Sequence, residues 1–299
     1  VRQARHSHAV VGMALRFTHP DRVIDPSTGI TKGELGAYYV AIAERMLPHV
    51  AARPLSLWRC PSGIGEACFF QKHAMPGMPA DIVRARAGDD EVVAIEDERG
   101  LLSLIQFGVV EVHVWGSTLG AEVEKPDRLV FDLDPDEALP FRRVADAALV
   151  VRDALETLGL ESFVKTTGGK GLHVCVAITP ELDWPAVKDA THLISDTLAR
   201  ARGSGFVATV AKRARTGKIF VDYLRNGRGA TAVAPYSARG RPGLTVAMPI
   251  AWADVRSVDP RDFDVRTVPA IVAKRRDPWA KFGKRKQRLP RGLVPARSA

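Results

Sequence analysis

Between residues 128 and 179 the sequence leaves the chain few options. RLVFDLD at 128–134 is an apolar strand, and PFRRVADAALVVRDALETL at 140–158 sets Phe141, Val144, Ala148, Val151 and Leu155 at helical spacing. Gly159 follows, where a helix end favours a residue free to turn left-handed. SFVKTT at 162–167 and LHVCVAIT at 172–179 then read as two strands parted by Gly168-Gly169-Lys170-Gly171, which predicts a hairpin. Strand, helix and hairpin in this order predict a mixed α+β fold.

The flanking segments fill in that expectation. ELGAYYVAIAERMLP at 34–48 puts Leu35, Tyr38, Tyr39, Ile42 and Met46 on one helical face, with Pro48 as the expected stop. PLSLWRC at 54–60, LLSLIQF at 101–107, VEVHVW at 110–115, KIFVDYLR at 218–225 and TVAMPI at 245–250 read as strands, and roughly 185–201 as a helix. The chain of 299 residues can bury a sizeable core. Residues 1–272 are expected to form a single compact unit of two sublobes. Residues 273–299 are expected to form a basic tail, with AKRRDPWAKFGKRKQRLPR at its start, serving as a phosphate-tracking arm or as a linker.

Composition narrows the setting. No window approaches the roughly 20 apolar residues of a membrane-spanning helix, and the N-terminal residues lack the order of a secretory signal, so a cytoplasmic protein is expected. Cys60, Cys68 and Cys175 are odd in number and scattered, which predicts reduced thiols. Cys60, Cys68 and His73 lack the short spacing and the fourth ligand of a zinc site. A net charge of +9 favours a polyanionic partner.

Three motifs can carry chemistry. In Phe131-Asp132-Leu133-Asp134-Pro135, strand alternation sends both carboxylates to one face, a costly pairing that divalent magnesium or manganese would relieve. Solvated acids before a turn would look the same. Asp222 lies inside the apolar run KIFVDYLR, where an unpaired carboxylate is expensive. Were its strand next to the first, three acids could hold two ions about 4 Å apart, as in phosphoryl transfer. Thr166-Thr167-Gly168-Gly169-Lys170-Gly171-Leu172-His173 is either a plain hairpin turn or a loop whose amides and lysine meet phosphate. Its glycine spacing and the strand that follows exclude a Walker A loop. His173 reads equally well as a core histidine.

FDLDP, TTGGKGLH and IFVDY, in that order, resemble the three active-site motifs of archaeo-eukaryotic-type primases. With THPDRVIDPSTGITKGELGAYY, CFFQKH and VEVHVW added, nearly the whole chain is similar to the polymerase domain of bacterial ligase D. The resemblance implies a mixed sheet packed against a recognition-motif-like catalytic sheet with flanking helices. It also implies addition of NTPs or dNTPs to DNA primer 3′ ends during non-homologous end joining, with two manganese or magnesium ions. It assigns the metal to Asp132, Asp134 and Asp222, and the nucleotide to His113, Thr167, Lys170, His173 and Arg239. Thr167 stands where serine is more frequent and keeps the hydroxyl. His19, Arg22 and Lys32 resemble a pocket for the 5′-phosphate of DNA, with His19 where asparagine is common, and Phe69 and Phe70 an aromatic pair at the template. Without the resemblance, these adjacent aromatics would read as core. The implied partners are DNA ends, gaps or overhangs, nucleoside triphosphates, a ligase domain and the Ku end-binding protein. A two-metal nuclease and a non-catalytic DNA-end-binding module are the rival readings.

Overall fold

The computed structural model describes residues 17–120, 122–201, 203, 205–284 and 287–294. Its elements run β1 (Val23–Asp25), β2 (Ile30–Thr31), α1 (Lys32–Val50), β3 (Leu55–Arg59), β4 (Phe69–Gln71), β5 (Val83–Ala87), β6 (Asp90–Ala94), α2 (Glu98–Gln106), β7 (Val109–Val114) and β8 (Arg128–Pro135). There follow α3 (Phe141–Thr157), β9 (Phe163–Thr166), β10 (Leu172–Ala177), α4 (Trp184–Arg200), β11 (Phe206–Val207), β12 (Ile219–Asp222), β13 (Ala232–Val233), β14 (Pro249–Ile250) and α5 (Val268–Lys274).

Two six-stranded sheets organise these elements. One has the order β11-β12-β8-β10-β9-β14, with β11 and β12 parallel and the other pairs antiparallel. The other has the order β13-β7-β3-β6-β5 with β4 against β3, and is antiparallel throughout. The expected α+β architecture is present, with the mixed pairing in the sheet that carries the acids. Alternation splits that sheet's faces: Leu129, Phe131 and Leu133 of β8, with Val174 and Val176 of β10, are buried in the main core with Val144, Val151 and Leu155 of α3 and Val187 and Ile194 of α4. The opposite face carries the polar row. The chain leaves the second sheet at β13 and rejoins the first at β14, so the segment between them bridges the two.

Several local expectations need correction. LLSLIQF lies in helix α2, because the Asp97 side chain accepts from the Gly100 amide and Leu101, Leu104 and Ile105 share a buried face at helical spacing. Pro48 does not stop α1, which runs on to Val50; the proline sits in the last turn, where the bond from Ala51 N–H to the Leu47 carbonyl still closes. Of TVAMPI, only Pro249–Ile250 is a named strand, with single bridges at Thr245 and Val246. KIFVDYLR leaves extended geometry after Asp222 and turns into a 3₁₀ segment over Leu224–Asn226.

The cysteine reading is overturned as well. Cys60 and Cys68 form a disulfide, with Cα atoms 4.5 Å apart. Pairing of Arg59 with Phe69 in the β3–β4 ladder places the next residue on each strand face to face, which spacing along the chain does not reveal. Cys175 is free and buried. The segment read as a basic tail also differs. It carries Trp279 and Phe282, 2% and 4% exposed, onto Val130, Phe163 and Cys175 on the polar-row face of the first sheet. Two large aromatic surfaces leaving water hold this stretch to the fold despite its charge.

Candidate active site

Strand register assembles the site. Asp222 of β12 pairs with Asp132 of β8, Asp132 pairs with His173 of β10, and His173 pairs with Lys165 of β9. Register partners project to the same face, so Asp222, Asp132, His173 and Lys165 form one row across four strands. Asp134, two residues beyond Asp132, shares the face and lies opposite Phe220. The acids open into a cleft of about 470 Å³ lined by Thr167, Lys170, His113, Arg239 and Arg241, among others.

Burial and neighbouring charges act differently on the three acids. Burial pushes Asp132 up, but the neighbouring His173, Arg225 and Lys165 outweigh it and hold the carboxyl well below its usual range. His173 is itself pushed down to about 4 by burial and Lys165. At neutral pH the pair is therefore carboxylate and neutral imidazole, with Nε2 of His173 3.3 Å from the Asp132 carboxylate. Burial raises Asp134, helped by the charge of Asp132, and burial raises Asp222 against the pull of Arg225.

Arg225 sits among these acids. Its Nε lies 3.2 Å from Asp132 and 3.3 Å from Asp222, and Arg215 stands 3.4 Å from Asp134. Among the described residues no three His, Cys, Asp or Glu side chains are arranged to hold an ion as they stand. The guanidinium occupies the space between two of the carboxylates and marks it as a cation position. Three carboxylates with no sulfur or imidazole required form a donor set that fits magnesium or manganese.

The glycine loop forms one wall of the cleft. Gly168 has φ of +67°, and a Cβ there would meet Arg239 Cγ at 2.6 Å, so the loop needs glycine to pass the arginine. Thr167 donates its hydroxyl to the Gly171 carbonyl at 3.1 Å, and Lys170 donates to the Glu137 carbonyl at 2.9 Å. Arg239 reaches the Thr167 carbonyl and stands 3.0 Å from Glu111. Glu111 also meets His113 Nε2 at 2.8 Å and the Gly240 amide at 2.7 Å. Burial opposes ionisation of Glu111, but His113, Arg239 and this amide hold it down at about 2. The carboxylate thus fixes both His113 and Arg239.

The remaining expected residues lie elsewhere. Arg22 and Lys32 line a separate pocket of about 100 Å³ with Gln106. Lys32 is buried and donates to the Thr18 carbonyl and to Gln106 Oε1, each at 3.0 Å. Arg22 reaches the Pro61 carbonyl at 2.8 Å. His19 is exposed at φ +53°. Phe69 and Phe70, on β4, are 45% and 51% exposed, which removes the core reading for this pair. Phe70 packs edge-on to His113 at 5.2 Å, and so joins the aromatic pair to the cleft.

The sequence reading passed over Arg225, Arg215, Glu111, Arg241 and Lys165. Glu111 was within reach, since it alternates with His113 in VEVHVW. The arginines gave no such signal, because their roles depend on which strands pair.

Comparison with known proteins points to one family. Residues 31–279 match the family model described as LigD, primase-polymerase domain. The multifunctional non-homologous end joining protein LigD of Pseudomonas aeruginosa is 40% identical over 282 residues, 92% of this chain and 34% of that protein. The bifunctional non-homologous end joining protein LigD of Bacillus subtilis is 30% identical over 292 residues, 97% of this chain and 47% of that protein. The chain thus spans about a third of the first relative and under half of the second. The polymerase domain of Mycobacterium tuberculosis ligase D, solved in complex with DNA, superimposes with a TM-score of 0.84 at 32% identity, covering 91% of this chain and 99% of that one. The chain belongs to the LigD primase-polymerase domain family.

Proposed function

We propose that this chain is a primase-type polymerase that adds NTPs or dNTPs to the 3′ ends of DNA primers at gaps and breaks, in bacterial non-homologous end joining. The observation that carries the reading is the register of Asp222 against Asp132, which sets the third acid beside the first two at the mouth of a cleft walled by a glycine loop and cations. A nuclease would need the acids but not the Thr167, Lys170 and Arg239 wall, whose types suit a triphosphate. Asp132, Asp134 and Asp222 would hold two manganese or magnesium ions. When bound, these supply charge neutralisation at the triphosphate and a more acidic primer 3′-hydroxyl. Lys170, Arg239 and the glycine-loop amides orient the triphosphate. The 3′-oxygen attacks the α-phosphorus, and pyrophosphate departs.

Arg22, Lys32 and His19 would meet the 5′-phosphate across a gap, and Phe69 and Phe70 offer exposed faces on which a template base can stack. A ligase domain and the Ku end-binding protein are the proposed neighbours. The test is extension of a gapped DNA bearing a 5′-phosphate, with manganese and each nucleoside triphosphate in turn. Product growth by the wild-type protein, lost in Asp132→Ala and in Asp134→Ala, is expected. Primer shortening would favour a nuclease, and binding without any change of length an end-binding module.

A further inference from the structure

Two buried polar atoms beside the acid row have no hydrogen-bond partner among the described protein atoms: Nζ of Lys165 and Nδ1 of His173, on residues 2% and 3% exposed. They belong to one register pair, β9 against β10, so both side chains leave the same face of the sheet. Both line a small cavity of about 20 Å³, bounded also by Cys175, Arg225, Trp279 and Phe282. An amine left unpaired at this depth is costly. A water needs roughly 10–15 Å³ and two to four polar partners, and this cavity, lined by both residues, offers that much room.

We propose that Lys165 is a positioning residue for the nucleotide pocket: through one water in this cavity it is bonded to Nδ1 of His173, fixing that imidazole as the Nε2–H tautomer facing the cleft. In this arrangement Nδ1 accepts from the water, and the remaining ring proton must sit on Nε2. That matches the approach of Nε2 to the Asp132 carboxylate at 3.3 Å, where a donor is required. The same N–H steadies the Asp132 carboxylate at the edge of the cleft that both residues line. Burial brings the Lys165 amine down to about 7, and the bridge serves in both of its protonation states, since the water can turn its own proton toward Nδ1 in either. Lys165 acts through His173 and the water and touches no reacting atom, and the inference rests on His173 belonging to the nucleotide site.

The experiment is a two-bond ¹H–¹⁵N correlation spectrum of the uniformly labelled chain at neutral pH, with His173 assigned by the loss of its signals in His173→Gln. The wild-type protein is expected to show the Nε2–H form. Lys165→Met, which keeps length without a donor, is expected to shift His173 toward the Nδ1–H form and to raise KM for the incoming nucleotide roughly tenfold, with a smaller change in kcat. Lys165→Gln, which restores a hydrogen-bonding end, should recover most of both effects. An Nδ1–H form in the wild-type protein overturns the inference without any variant having to fold, as does an unchanged tautomer in folded Lys165→Met. Failure of the wild-type protein to extend primers would instead count against the polymerase reading, while the tautomer result still judges Lys165.

Discussion

His49 shows how one buried side chain sets the response of the fold to acid. It is 4% exposed, with its ring edge-on to Trp279 and Phe282 at 5.5 and 5.8 Å. Burial, with Arg128, Arg53 and Lys165 nearby, pushes its imidazole down to about 3. Between the unfolded value near 6.5 and about 3, only the unfolded chain takes up this proton, so stability falls as pH is lowered, by up to about 1.4 kcal/mol per unit. His173, held at about 4, and His113, also lowered by burial, add protons of the same sign. Urea unfolding between pH 6.5 and 5 is therefore expected to lose stability steeply in the wild-type protein and less steeply in His49→Leu. Equal slopes would remove His49 as a source. At this scale the sequence exposed residues whose meaning is local. Asp132 and Asp134 were legible because strand alternation alone puts them on one face. Arg225 was not, because its place between Asp132 and Asp222 exists only once β12 lies beside β8.

Among the elements, β4 is the one entered from a loop with a covalent tie. It has three residues, pairs with β3, and presents Phe69 and Phe70 to solvent. The Cys60–Cys68 disulfide closes the loop that leads into it. A loop this short is expected to stabilise the fold by about 2–3 kcal/mol, through restriction of the unfolded chain. Thermal unfolding with and without a phosphine reductant tests this: the midpoint should fall on reduction in the wild-type protein and stay put in the Cys60→Ser, Cys68→Ser double variant. An unaffected wild-type midpoint would mean that the β3–β4 ladder holds without the bond. The misread element, α2, has a different lesson. LLSLIQF is too short for periodicity to separate strand from helix, and the deciding signal was Asp97, a capping residue placed before the run.

Across the whole molecule, what stayed illegible was the order of strands. Hydrophobic alternation located β8, β9, β10 and β12, but nothing along the chain states that β12 pairs with β8, or that β13 and β14 belong to different sheets. The C-terminal segment was hidden for a related reason. Its run of lysines and arginines dominated the composition, while the two aromatics that dock it are recognisable only once the sheet face they cover exists. Trp279 buries its ring against Phe163 and Phe282 and donates Nε1–H to the Val164 carbonyl at 2.9 Å. That carbonyl belongs to β9, next to Lys165. Trp279→Ala is expected to destabilise the protein by about 3–5 kcal/mol, the range for emptying a large aromatic site. Because Trp279 also bounds the cavity shared by Lys165 and His173, the loss should reach the proposed nucleotide pocket as well. Urea unfolding gives the first quantity, and nucleotide KM under conditions where the variant stays folded gives the second. A variant as stable as the wild type would show that this segment rests on the sheet without holding it, and stability lost with KM unchanged would confine its role to the fold.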